Sequence, residues 1–249
     1  MLAVLAPGQG AQKPGMLTDW LDLPGAEAFF RWAGAIADAD LLTLGTTGDA
    51  EAITDTAVTQ PLVVAMSLFV ARELGGLPGP VNHSPHAGRD VVITGHSVGE
   101  LTAAALAGVL SVEAAIALTA VRGRAMAAAC AQTPTGMSAV LGGEPDEVLA
   151  AIEEHGLTPA NMNGAGQIVA AGALDGLAAL KAAPPTKARI MPLSVAGAFH
   201  TEYMASARTE LEGLVGGLSP PSRAASCSPT PTAPPSRAAP RRSPGSSAR

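Results

Sequence analysis

Aromatic side chains are scarce. Four Phe, two Trp and one Tyr occur among 249 residues, so any core must be built mainly from Ala, Val, Leu and Ile. Cysteine is nearly absent: Cys130 and Cys227 form neither a disulfide framework nor a metal-ligand pattern. Long uninterrupted hydrophobic runs are missing too. The Ala/Leu-rich stretch 101–120 is broken by Glu113 and starts beside Glu100, which predicts a buried helix pair and excludes a membrane span. Residues 1–6 are apolar but short, run straight into Pro7-Gly8 and lack a basic flank, so no secretion signal is expected. Together these absences predict a cytoplasmic, metal-free protein with no membrane contact. The formal charge is −6, but residues 219–249 hold five Arg and no acid, so the remainder carries −11. An acidic body argues against nucleic-acid binding.

The last 31 residues also lack Val, Ile, Leu, Met, Phe, Tyr and Trp, and contain eight Pro and eight Ser. Such a Pro/Ser/Arg-rich segment cannot bury enough apolar surface to offset roughly 1–2 kcal/mol of backbone entropy per residue, and 219–249 is expected to be disordered. Upstream, residues 2–6 predict a buried strand. Helices are predicted over 26–39 and 60–74, the second with Pro61 in its first turn and Gly75-Gly76 at its end. Residues 77–88, rich in Pro, Gly and His, predict a surface loop. A β-branched run at 90–94, then Gly95-His96-Ser97-Val98-Gly99, then an Ala/Leu helix, spells strand, tight turn, helix. Ser111 opens a further helix running to about Ala131.

The rhythm changes over 136–195. Strands at 137–141, 159–163, 168–171 and 188–195 and helices at 145–155 and 174–183 alternate as β-α-β-β-α-β, the ferredoxin-like order. The expected fold is therefore α/β. An α/β-hydrolase-like large domain with a parallel sheet (1–131 and 196–218) is interrupted by a ferredoxin-like small domain (132–195).

Ser97 is the candidate nucleophile. A reactive Ser must project from its backbone, and small residues two before and two after let the turn close, which is the G-x-S-x-G elbow. The pattern alone arises easily in a chain with 28 Gly; the leading strand and trailing helix give it weight, because helix N-terminal N–H groups face whatever Ser97 attacks. Of the five His, His83 and His86 sit in the predicted loop, His155 ends a helix, and His96 adjoins Ser97 across the turn and should point away. His200 remains as the base. Gln9, in Pro7-Gly8-Gln9-Gly10, shares the carboxyl edge with Ser97 if the sheet is parallel; its N–H and that of Val98 could then form an oxyanion hole. Arg122 or Arg124 could grip a substrate carboxylate through two parallel hydrogen bonds.

These residues resemble one family. Gly8-Gln9-Gly10-Ala11-Gln12, Gly95-His96-Ser97-Val98-Gly99-Glu100, Val121-Arg122-Gly123-Arg124-Ala125-Met126 and Gly197-Ala198-Phe199-His200 occur in the order of the G-Q-G-[SA]-Q, G-H-S-x-G-E, R-G-x-x-M and A-F-H motifs of malonyl-CoA:acyl-carrier-protein transacylases. The resemblance implies [acyl-carrier-protein] S-malonyltransferase activity in fatty-acid or polyketide synthesis. It needs no cofactor beyond its substrates, malonyl-CoA and phosphopantetheinylated acyl carrier protein; a monomer is the default expectation, which the sequence itself leaves open. It assigns Ser97 as nucleophile, His200 as base, the N–H groups of Gln9 and Val98 as oxyanion hole, Arg122 as the carboxylate ligand, and Phe199 as the residue favouring malonyl over methylmalonyl.

The resemblance stops near residue 218. Family members continue with more strand and helix, including a segment like Asn-Pro-Val-x-Trp that has no counterpart here. A family-like Leu-Leu-Ser-Asn-Ala-Asp-Gly in GC-rich codons, read one base late, becomes Cys-Ser-Pro-Thr-Pro-Thr-Ala, the sequence of residues 227–233. A frameshift in the gene or its sequencing is the expectation, leaving the sheet incomplete and His200 without its anchor. Two other functions share the elbow: a serine esterase or thioesterase, which has no use for Arg122, and an inactive remnant that still docks acyl carrier protein.

Overall fold

The computed structural model describes residues 2–75, 91–164 and 166–217. The predicted loop at 77–88, with His83 and His86, and the predicted disordered tail at 219–249 lie outside the described residues.

Two sheets organise the chain. In the first, β1 (Leu2–Ala6) and β2 (Val91–Gly95) pair in parallel, with Leu2 opposite Val91 and Ala6 opposite Gly95. That register brings the carboxyl ends of both strands, and the loops that follow them, to one edge. Parallel strands are usually covered on both faces. Here Leu5 is 73% exposed, and Val91 and Val92 are exposed as well.

Helices α1 (Ala26–Ala37), α2 (Leu41–Thr47), α3 (Thr56–Glu73), α4 (Gly99–Leu106) and α5 (Val112–Gln132) build the large core. Five of the seven aromatic residues gather there. Phe29, Phe30 and Phe69 pack on one another edge-on or tilted, with Trp20 edge-on to Phe69 and Trp32 against Phe29. Arg72 lies 4.6 Å over the Phe69 ring. Each fully buried Phe or Leu in this cluster contributes roughly 1.5–3 kcal/mol. The scarcity of aromatics is thus met by concentrating them, and Ala supplies the close helix contacts elsewhere.

Several boundaries differ from the sequence expectation. α3 starts at Thr56, one turn before Gln60, because the Asp55 carboxylate accepts the N–H of Ala57 and caps it. Pro61 therefore lies inside the helix, not in its first turn. α2 was not foreseen: Leu-Leu-Thr-Leu-Gly-Thr-Thr is poor in helix formers, but Asp40 caps it through Thr43 N–H, and Leu41 and Leu42 are buried. α5 follows its expected start, capped by Ser111 Oγ on Ala114 N–H. Among the described residues it is the one helix long and apolar enough to cross a bilayer by length and composition, and half of its most apolar window is buried inside the protein.

The second sheet contains β3 (Thr135–Gly142), β4 (Thr158–Met162), β5 (Gln167–Ala173) and β6 (Ala188–Pro192), in the order β4-β5-β3-β6 with every pairing antiparallel. With α6 (Pro145–Glu154) and α7 (Leu174–Ala182) the chain order is β-α-β-β-α-β. Alternation along β5 splits its side chains between two cores. Ile168 and Ala170 join Val148, Ile152 and Leu180 under the two helices. Val169 and Ala171 pack with Met126, Ala129, Ala198 and Phe199 on the opposite side. This second face seats the sheet against α5 and the Ala198-Phe199-His200 segment, and so helps place His200. Beyond it, a short 3-10 turn over Glu202–Met204 precedes α8 (Ala205–Val215). The helix expected from Thr201 is delayed because the Thr201 hydroxyl bonds back to Ala198 C=O and also accepts Tyr203 N–H, fixing a turn.

Candidate active site

Ser97 sits at the corner between β2 and α4. Its φ is 53°, in the left-handed region that costs an L-residue roughly 1–2 kcal/mol. The corner closes only because its neighbours lack side chains. A Cβ on Gly95 would collide with the Gly99 carbonyl, and one on Gly99 would lie 2.5 Å from Ala6 O and 2.6 Å from Pro7 O. Gly8 packs on His96 in the same way, its would-be Cβ 2.7 Å from His96 Nδ1, and His96 N–H donates to Ala6 O at 3.1 Å. The elbow and the Gln9 loop are therefore held face to face.

At this edge, among the described residues, the backbone N–H groups of Gln9 and Val98 make no hydrogen bond to protein. Gln9 Nε2 donates to Thr56 Oγ1 at 3.5 Å, while its Oε1 is buried without a partner among the described residues. Val98 is the N-cap of α4, so its N–H belongs to the positive end of that helix.

Arg122 reaches the corner from α5. Its Nη2 donates to Ser97 Oγ at 3.2 Å, and its Nη1 donates to Gln60 Oε1 at 2.6 Å. The adjacent Gly123 lets α5 approach α3 closely: a Cβ there would stand 2.7 Å from Thr56 O. Burial pushes the Arg122 guanidinium down to about 10, opposed in part by Glu100, and it stays cationic at neutral pH. The two arginines reach different partners. Arg124 is exposed and its Nη1 donates to Ala37 O at 3.0 Å, tying α5 to α1.

His200 is held by its backbone. Ala198 N–H donates to the buried Thr135 Oγ1 at 2.9 Å, Thr201 Oγ1 donates to Ala198 O at 2.7 Å, and His200 itself has φ 61°. With Arg122 and Met126 it lines a cavity of about 500 Å³ walled on the far side by Met204, Arg208 and Leu211. His200 is exposed as a residue, but protein atoms crowd its imidazole. The atoms packed around it, then the charges of Arg122 and His96, lower its pKa below the ordinary imidazole value, with Glu100 opposing. Among the described residues neither ring nitrogen is hydrogen-bonded to protein.

The structure thus joins Ser97 and Gln60 through Arg122, which donates to both, and places His200 on the same cavity as Arg122. Gln9 and Val98 flank the elbow. Phe199 is 7% exposed and packs in the core with Met126, one layer behind the cavity wall and not on its lining. Gln60 was not singled out from sequence; the signal available was one amide at the head of the apolar run 61–66.

Residues 4–239 match the acyl transferase domain family. The chain belongs to that family. Among similar acyl transferases, malonyl CoA-acyl carrier protein transacylase of Mycobacterium tuberculosis (strain ATCC 25618 / H37Rv) is 56% identical over 208 residues, covering 83% of this chain and 67% of the relative. The enzyme of that name from Escherichia coli (strain K12) is 33% identical over 204 residues, covering 78% of this chain and 63% of the relative. The chain spans about two thirds of the length of these curated relatives. The crystal structure of MCAT from Mycobacterium tuberculosis superposes with a TM-score of 0.84 at 51% identity, over 91% of this chain and 73% of that one. A malonyl-transacylase in complex with a type II PKS acyl-carrier protein superposes at 0.71 and 30% identity, over 87% of this chain and 70% of that one. The fold of this acyl transferase is accordingly α/β, as its sequence implied.

Proposed function

We propose that this chain moves a malonyl group from malonyl-CoA to the phosphopantetheine thiol of acyl carrier protein through a malonyl ester on Ser97. His200 takes the Ser97 hydroxyl proton as Oγ attacks the thioester carbonyl. The carbonyl oxygen becomes an oxyanion facing the N–H groups of Gln9 and Val98, and one such donor contributes roughly 2.7–4 kcal/mol. The C–S bond then breaks, and the departing CoA thiolate collects the proton from His200. In the second half the phosphopantetheine thiol gives its proton to His200, attacks the ester, and Ser97 leaves with that proton.

The observation that carries this reading is the buried guanidinium on the nucleophile. A malonyl ester on Oγ places its carboxylate one methylene beyond the ester carbonyl, within reach of the Arg122 group that contacts Oγ in the free protein. A neutral acyl group offers that cation nothing, which separates this chemistry from a general esterase. The fixed carboxylate also aligns the ester for the incoming thiol. Phe199 lies behind the cavity lining and backs Met126, so it favours malonyl over methylmalonyl by holding Met126 as the wall an α-methyl branch meets, a discrimination worth roughly 1–3 kcal/mol.

The work is divided between a catalytic domain (1–131 and 196–218) and a small domain (132–195) that supplies one wall behind His200. The protein acts as a cytoplasmic monomer without a cofactor. The test is malonyl-CoA turnover with and without phosphopantetheinylated acyl carrier protein: CoA release that depends on the acceptor supports transfer, and equal release in its absence indicates a hydrolase.

A further inference from the structure

Gln60 is a buried amide side chain, 1% exposed on α3. Both of its ends are occupied. Oε1 accepts from Arg122 Nη1 at 2.6 Å, and Nε2 donates to Met126 Sδ at 3.3 Å. The amide cannot be reversed without setting its NH2 against the guanidinium, donor to donor. Arg122 is therefore fixed at two points: Nη1 on Gln60, Nη2 on Ser97 Oγ.

The chemical type of the partner matters as much as its position. A carboxylate at residue 60 would hold the guanidinium equally well but would neutralise it. A neutral carbonyl oxygen orients the cation and leaves its charge uncompensated for an incoming anion. Glu100 is the acid whose charge is felt at Arg122, and among the described residues it forms no ion pair with it.

Building on the transferase reading above, we propose that Gln60 is a positioning residue that aims Arg122 at the acyl group on Ser97 while leaving its charge free, and so sets the preference for carboxylate-bearing over neutral acyl groups.

Full-length Gln60→Glu and Gln60→Met are compared with the parent and with each change in an Arg122→Ala background. The readouts are Ser97 acylation by malonyl-CoA and by acetyl-CoA, and malonate binding by calorimetry. Gln60→Glu is expected to raise KM for malonyl-CoA about tenfold with kcat little changed, the scale of one compensated charge-assisted contact. Acetyl-CoA kinetics should stay within about twofold. Gln60→Met, close in volume, should weaken malonyl-CoA selectively and remains informative if the buried acid unfolds the chain. Neither change should matter once Arg122 is Ala. Equal losses for both acyl-CoAs, or additive losses in the Arg122→Ala background, would assign Gln60 a packing role and overturn the proposal. If the parent takes no malonyl group on Ser97, the transferase reading fails by itself, and the malonate titration decides: weaker binding by the Gln60 variants upholds the positioning role, and equal or no binding by parent and variants ends it.

Discussion

Replacing Gly99 by Ala should disable the site through a backbone collision alone. The new Cβ would lie 2.5 Å from Ala6 O and 2.6 Å from Pro7 O. Ordinary carbon contacts begin near 3.5 Å, so strand end and elbow must separate by about 1 Å. Both obstacles are backbone, and neither can rotate away. Overpacking of this kind costs roughly 1–3 kcal/mol, which for a domain of this size lowers Tm by roughly 2–12 °C. The greater effect is on chemistry: the displaced atoms carry Gln9 on one side and Ser97 on the other, and a misplacement of about 1 Å costs on the order of a hundredfold in rate. The assay is the rate of Ser97 acylation by malonyl-CoA, read by intact mass below the variant's melting temperature. Gly213→Ala serves as reference, since a Cβ there meets nothing within 4 Å and should leave the rate unchanged while gaining roughly 0.5–1 kcal/mol. Acylation by Gly99→Ala within twofold of the parent would refute the idea that contact between the Gln9 loop and the elbow builds the site.

Two further outcomes follow from the same geometry. If Arg122 holds the malonyl carboxylate as proposed, Arg122→Ala removes two charge-assisted contacts; at the low end of roughly 1.5–3 kcal/mol each, a net loss near 3 kcal/mol lowers kcat/KM for malonyl-CoA by about 150-fold while acetyl-CoA is spared, and parallel loss with both substrates would contradict the assignment. The acid limb of kcat/KM should fall below about pH 6.5, because burial, then the Arg122 and His96 charges, disfavour protonated His200 and keep the base neutral to lower pH. With acetyl-CoA as substrate, Arg122→Ala should move that limb upward, and a midpoint at or above the ordinary imidazole value in the parent would count against the account.

Much of the site was readable in the chain because its constraints are local. An elbow needs small residues at fixed offsets from Ser97, and strand-turn-helix patterning surrounds it. The parallel register of β1 and β2 then places Gln9 beside Ser97, as the shared carboxyl edge predicts. Choosing between Arg122 and Arg124 was beyond residue spacing, since the two lie two positions apart on one helix; only the packing of α5 shows Arg122 directed to Ser97 and Arg124 to Ala37. Gln60 escaped for a related reason. Its role depends on a partner 62 residues away, and local pattern shows only a polar residue beside Pro61. The misplaced start of α3 has the same origin: Pro61 is a stronger local signal than the Asp55 cap, yet the helix accommodates it one turn inside. α2 went unseen because its stability comes from burying Leu41 and Leu42, not from helix propensity.

Intact mass after mixing the protein with malonyl-CoA tests the central claim most directly. The account predicts a gain of one malonyl group, located by peptide mapping on Ser97, absent from Ser97→Ala and discharged by the phosphopantetheine thiol. An unmodified chain, or an adduct that survives Ser97→Ala, would contradict it.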